Sequence, residues 1–509
     1  MPSWPWQPVL YEINTWVWLQ DLGHAAGRPV TLGSVPSAEW DALARLGIDA
    51  VWLMGVWQRS PEGLRIALQN TGKIADFRRA LPDFTEADAV GSPYSVRGYV
   101  ADERLGGRRG LAAARLELAR RGVRLILDFV PNHVAPDHSW AGEHPDHFVL
   151  GDAQDLRREP DAFLEVAGRV IARGRDPFFP PWGDVLQLNA FAEGLRQAAR
   201  ETLAGIAAQC DGVRCDMAML VMNDVFARTW GARAGPRPPV DYWPPLIAAV
   251  RERHPAFKFI AEAYWDLERA LLEQGFDYCY DKGLYDRLVG GSAESVRQHL
   301  RADPAQQARL LRFIENHDEP RAAAAFTPER LRAAAVAFAT LPGARLFHEG
   351  QFEGRRVRLP VFLVRRPAEP DHPELEAFYR RLLKTIAAPA FRDGDWRLLE
   401  RVGWPENRSF EHVLAWGWEK GSERHVVVVN LSGVPAQARI RLPWADHVGR
   451  RLLLVDAFTD DVYDRDGGET LDPGLFVDLP AWGFHLLAAR PNEGSRPDPA
   501  GFVPDAHAE

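Results

Sequence analysis

Cysteine is scarce in this chain. Only Cys210, Cys215 and Cys279 occur in 509 residues. An odd, sparse set excludes a disulfide framework, and no Cys-x-x-Cys pair is present to hold a metal. Blocks of positive charge are also missing. The formal net charge is −9, and neither a basic stripe nor a polybasic run appears, which argues against nucleic acid or an anionic membrane as partner. No apolar run approaches the ~18 residues that cross a bilayer. The opening Met1-Pro2-Ser3-Trp4-Pro5-Trp6 lacks the basic and apolar stretches of a secretory leader. We therefore expect a reduced, cytoplasmic protein and leave its oligomeric state open.

What is present suits a large globular protein. Hydrophobic residues make up 46% and charged residues 26%, enough for more than one domain with a full core. Tryptophan is abundant at 18 residues, and its flat apolar face suits sugar rings as well as protein partners. Strand-like and helix-like runs alternate about eight times up to residue 390, with strands near 9–14, 50–57, 123–129, 212–216, 257–262, 276–280, 310–315 and 343–348. That alternation predicts a parallel (β/α)8 TIM barrel, an α/β fold. Residues 58–109 read as a long loop. Residues 131–192 read as a short insert after the third strand, with a helix at 160–172. From 391 to 490, short strands separated by Gly, Pro and Asp predict an antiparallel β-sandwich domain. The Pro- and acid-rich tail, 491–509, is expected to be disordered.

The stretch Asp211-Gly212-Val213-Arg214-Cys215-Asp216 concentrates the chemistry. Residues i and i+2 of a strand share a face, so Arg214 and Asp216 emerge together. A cation beside a carboxylate favours its ionised form. By itself such a pair is more often structural. Three further apolar runs end in acids and polar groups, in Asp128-Phe129-Val130-Pro131-Asn132-His133, Ile260-Ala261-Glu262-Ala263-Tyr264 and Glu315-Asn316-His317-Asp318-Glu319-Pro320-Arg321. Barrel sites form at the C-terminal ends of strands, so Asp128, Asp216, Glu262 and Asp318 should converge at one mouth.

Four such strands in this order resemble the α-amylase family, glycoside hydrolase family 13. The matching stretches are DFVPNH, GVRCD, IAEAY and ENHDEPR. Gly47 to Leu53 and Leu341 to Phe347 look like the family's second and eighth strands, and the resemblance runs from about residue 8 to 490. It implies a retaining α-glycosidase acting on maltooligosaccharides or related α-glucans. Asp216 aligns with the nucleophile, Glu262 with the general acid/base and Asp318 with the third acid that grips sugar hydroxyls. His133 and His317 align with histidines that bond the sugar, Asp128 with a carboxylate that positions Arg214, and Tyr94 with a tyrosine that stacks on the sugar. No organic cofactor is implied. Many relatives bind calcium through an asparagine matching Asn132 and a later aspartate. Here Gln187 stands where that aspartate belongs, which weakens a hard-cation site, so calcium is not expected. His133, Asp137, His138, His144, Asp146 and His147 cluster in one insert, but their spacing fits no zinc signature. The rivals are a glycosyltransferring relative (4-α-glucanotransferase, maltosyltransferase or sugar isomerase type) and a catalytically silent barrel. A silent barrel usually loses an acid, and all three stand in this sequence.

Overall fold

The computed structural model describes residues 4–491. Beyond its first residue, the tail expected to be disordered lies outside them. Eight strands run parallel: β1 (Val9–Asn14), β2 (Ala50–Met54), β3 (Arg124–Phe129), β4 (Gly212–Cys215), β5 (Lys258–Ala261), β6 (Tyr278–Tyr280), β7 (Leu310–Arg312) and β8 (Ala344–His348). They close in the order β1-β8-β7-β6-β5-β4-β3-β2, the TIM-barrel architecture. Parallel neighbours need crossovers, which the intervening helices supply. Strands covered on both faces carry near-continuous apolar runs, and all six residues of β1 and of β3 are buried. Leu10, Ala50, Trp52, Ile126, Ile260, Leu311 and Leu346 share one core cluster. Ile126 pairs in register with both Trp52 and Gly212.

Close packing leaves no room at two glycines. A Cβ on Gly212 would lie 3.0 Å from the Lys258 carbonyl oxygen. Gly343, entering β8, has φ +104°, and its Cβ would lie 2.3 Å from the Leu310 carbonyl oxygen. Gly343→Ala is expected to cost about 2–4 kcal/mol through backbone strain and overpacking, read as a lower denaturant midpoint at unchanged slope.

The described residues divide into two compact units: 4–289, 302–327 and 342–384, and 290–301, 328–341 and 385–491. The second unit carries β9 (Asp395–Leu398), β10 (Glu400–Val402), β11 (Val413–Lys420), β12 (Glu423–Asn430), β13 (Ala436–Arg441), β14 (Arg451–Asp456), β15 (Val462–Asp466), β16 (Leu475–Leu479) and β17 (Phe484–Pro491). They form a six-stranded sheet, β9-β11-β12-β17-β14-β15, and a three-stranded sheet, β10-β13-β16. Val413, Val426 and Val428 of the first sheet share a core with Ala438, Ile440 and Val477 of the second. The helices Ala293–Leu300 and Pro328–Thr340 belong to this unit. The Trp418 indole donates to the Thr340 carbonyl at 2.6 Å, and Arg297 Nη1 donates to the Leu399 carbonyl at 3.2 Å.

Three expectations are corrected. The second strand stops at Met54 because Gly55 takes φ +79°, and Trp57–Arg59 begins a separate antiparallel pair with Val96–Ala101. Residues 58–109 are not a bare loop, since Pro61–Gln69 and Thr71–Ala80 are helices capped by the Ser60 hydroxyl and the Asn70 side chain. The helix expected at 160–172 is a hairpin of Phe163–Val166 and Arg169–Ala172. Ala167 and Gly168 take φ +50° and +73°, and a two-residue turn with both φ positive suits a hairpin.

Candidate active site

Arg214 lies opposite Asp128 on β3 and Ile260 on β5 in register. Its guanidinium forks across the barrel mouth. Nη1 donates to Asp216 Oδ1 at 2.8 Å and Nη2 to Glu262 Oε2 at 2.6 Å. Asp128 Oδ1 sits farther off, 3.5 Å from Nη1. The cation packs on the rings of Tyr94 and Trp52, 5.0 and 5.2 Å from their centroids. Asp216 and Glu262, each one residue past its strand, are tied by backbone bonds: Asp216 N donates to Phe129 O at 2.8 Å and Glu262 N to Cys215 O at 3.1 Å. Met217 N, with Met217 held at φ +41°, donates to Glu262 Oε2 at 2.7 Å. The Tyr264 phenol donates to Glu262 Oε1 at 2.8 Å.

His317 joins the remaining groups. Its Nδ1 lies 2.5 Å from Glu12 Oε1, and its Nε2 lies 2.9 Å from Asp318 Oδ2 and 2.6 Å from the Tyr94 phenol oxygen. Glu12, fully buried on β1, was missed in the sequence. A carboxylate inside the apolar run Val9-Leu10-Tyr11-Glu12-Ile13 was the available signal, because buried charges need partners.

These contacts set the charges. Burial pushes Glu262 up to about 7 and Asp216 up to about 6, against the pull of Arg214 on both. Burial disfavours ionisation of Asp318 too, but the His317 imidazolium, with help from Arg214 and Arg358, outweighs it and holds the carboxyl at about 2. The Asp318 side chain is 45% accessible to the cleft. Burial pulls His317 down, yet Asp318 and Glu12 hold it well above its ordinary value. Burial leaves His133 neutral, at about 4. The three acids thus sit in three electrostatic settings.

A cavity of about 310 Å³ opens over them, lined by Tyr94, His133, Asp216, Met217, Glu262, Tyr264 and Asp318. Five of the eight expected residues therefore line one cleft; His317 bonds two of these lining groups and Arg214 two more, while Asp128 lies beneath at the foot of Arg214.

The residues do not fit a calcium ion. Gln187 Nε2 donates to Asn132 Oδ1 and to the Asn132 and Leu188 carbonyls at 2.9–3.0 Å. An amide N–H fills the lone pairs that a hard cation would take. Excess chelator is expected to leave the melting temperature and the rate unchanged, where loss of a bound ion would lower stability by mass action. Of the imidazole and carboxylate groups in the insert, His144, Asp146 and His147 come together, with ligand atoms within 4.8 Å of one another. The two imidazoles stack at 14° and 4.8 Å, and His144 and Asp146 are exposed. This is a stacked pair beside a solvated carboxylate, not a closed coordination shell.

No family model matches the chain. It is similar to α-amylase MalA of Haloarcula japonica, 26% identical over 375 residues, spanning 70% of this chain and 46% of that protein. It is also 27% identical over 190 residues to an α-1,4-glucan:maltose-1-phosphate maltosyltransferase of Pseudomonas aeruginosa, spanning 35% of this chain and 23% of that enzyme. The chain thus spans less than half the length of these curated relatives. Among solved structures, a maltogenic α-amylase AmyB of Thermotoga neapolitana shares the fold with a TM-score of 0.67 and 19% identity, over 94% of this chain and 98% of that one. The chain is thus similar in sequence to an α-amylase and to maltosyltransferases, and it shares the fold of solved α-amylases.

Proposed function

We propose that the chain is a retaining α-glycosidase acting on α-glucosides such as maltooligosaccharides. The observation that carries this reading is the Arg214 fork, which holds Asp216 and Glu262 together while burial raises Glu262 further than Asp216. Retaining hydrolysis needs two carboxyls about 5–5.5 Å apart, one ionised and one protonated. One guanidinium shared between them supports that spacing. Glu262 protonates the glycosidic oxygen as Asp216 attacks the anomeric carbon, giving a covalent glycosyl-enzyme. Glu262, now the base, activates water to release the sugar. Asp318, ionised and facing the cleft, accepts hydrogen bonds donated by hydroxyls of the reacting ring. His133 and the His317–Tyr94 pair line the same ring's binding site. Arg214 neutralises the carboxylates, and Asp128 supports Arg214 from below.

A second reading is transfer of the glycosyl group to another sugar. It is favoured by the likeness to α-1,4-glucan:maltose-1-phosphate maltosyltransferases. Phe178 and Phe179 are about two-thirds exposed, and the Phe178 ring packs edge-on at 4.9 Å against Trp265, three residues past the acid. Exposed aromatic faces suit an acceptor sugar. The product profile from maltoheptaose separates the two: shorter sugars alone mean hydrolysis, and longer sugars among them mean transfer. Unchanged maltoheptaose would contradict both.

The three cysteines are buried and unpaired, in keeping with a reducing, cytoplasmic location. Among the described residues no helix is long and apolar enough to cross a membrane.

A further inference from the structure

The cavity has a wall that the bond-cleaving chemistry does not use. Lys73 from the helix Thr71–Ala80, Trp182 and Asp184 from the insert after β3, and Phe362 from the segment after β8 all line the same space as Tyr94, His133 and Glu262. These segments are remote in sequence, yet their side chains meet. Lys73 Nζ lies 3.5 Å from Asp184 Oδ1 and 4.1 Å over the Phe362 ring. The Trp182 ring packs at 5.1 Å against the His133 ring.

The wall is braced from behind. The Asp184 carbonyl accepts a bond from the Ser95 hydroxyl at 2.7 Å. The Phe362 carbonyl accepts one from Val90 N at 2.8 Å, and the Phe362 ring packs at 5.5 Å on Phe77. The Asp184 side chain is 6% exposed, so its position is set by packing rather than by solvent.

The chemistry gives the wall a direction. In the glycosidase reading the leaving group departs over Glu262, which Met217 N and the Tyr264 phenol hold in place. The wall instead meets His133, through the Trp182 ring, on the side that this reading gives to the far end of the reacting ring. A chain running through the site would have to continue past it. The volume, about 310 Å³, lies at the low end of the ~300–1,000 Å³ of small-ligand sites. An ammonium with three donors beside an acceptor carboxylate matches free hydroxyls. A glycosidic oxygen there could accept from Lys73 but could not donate to Asp184, so an extended chain would lose a bond that a free terminal hydroxyl makes.

We propose that Lys73, Asp184 and Phe362, with Trp182, form a binding site for the non-reducing terminal sugar of an α-glucan and close the cavity behind it, so that the enzyme acts from that end. This rests on the glycosidase reading. The test uses two aryl-labelled maltoheptaosides, one with a free non-reducing end and one carrying a 4,6-O-ethylidene block there, with products resolved by chromatography. The free substrate should shorten from its non-reducing end, and the blocked one should react about a hundredfold more slowly or not at all, the upper range of discrimination a pocket achieves. Equal rates on both would overturn the closed wall and leave the glycosidase reading standing. Cleavage of neither would overturn both. Phe362→Ala and Lys73→Ala should each raise the blocked-to-free rate ratio by about tenfold. The ratio is internal to each preparation, so a partly folded variant still reports it. A ratio unchanged in both variants would overturn the assignment of the wall to these residues.

Discussion

Asp216→Asn lowers turnover of a maltooligosaccharide by about 10⁴-fold or more, the scale on which deleting a nucleophile acts, with the unfolding transition little changed. The size follows from the site. An amide of nearly the same shape still accepts a bond from Arg214 Nη1, so the fork and the backbone tie from Asp216 N to Phe129 O persist. What is lost is the charged oxygen that forms the covalent bond. Removing a buried carboxylate that burial itself holds up, at about 6, also removes a desolvation cost. The Asn variant should thus fold at least as well as the parent. Activity within tenfold of the parent would exclude Asp216 as nucleophile.

Glu262→Gln lowers turnover of the same substrate by about 10²–10⁴-fold, the usual contribution of a positioned acid. A glucosyl fluoride, whose leaving group needs no proton, should still glycosylate the variant at near the parent's rate. Equal losses on both substrates would contradict the acid role. The pH profile carries the same division. Asp216 must be ionised, so the rate rises as pH passes about 6, and Glu262 must be protonated, so the rate falls as pH passes about 7. The pair shares one guanidinium and titrates together, so the two limbs report the pair. A narrow bell is expected, and Glu262→Gln should lose its alkaline limb for the first step. A flat profile from pH 5 to pH 8 (a window spanning the ordinary histidine range) would contradict the assignment.

The barrel was legible because its signal is redundant. Eight apolar runs recur with helices between them, and each ends where a turn residue or a polar group begins. Asp216 and Glu262 were legible because the residues just past β4 and just past β5 are fixed by strand geometry, and Asp318 because the apolar run of β7 leads into Glu315-Asn316-His317-Asp318 at the same barrel end. The second carboxylate on Arg214 was not. A fork reaching from β4 to Glu262 depends on β4 and β5 pairing side by side in register and on the left-handed Met217, and neither appears in local sequence. Glu12 was hidden for a related reason: its partner, His317, lies 305 residues away. The Lys73, Asp184 and Phe362 wall comes from three connections with no shared pattern, and connections carry specificity while tolerating change. The hairpin at 163–172 was misread because a run of mixed apolar and charged residues fits either period, and the Ala167-Gly168 turn decided it.

The most direct test of the central claim is to trap the glycosyl-enzyme. Glu262→Gln is incubated with α-glucosyl fluoride, which loads the nucleophile without needing an acid, while the missing base slows release. The account predicts a mass gain of one hexosyl residue, located by peptide mapping on Asp216. A mass gain elsewhere would contradict that assignment. No gain, together with turnover of the fluoride to the inverted sugar, would contradict the retaining mechanism itself.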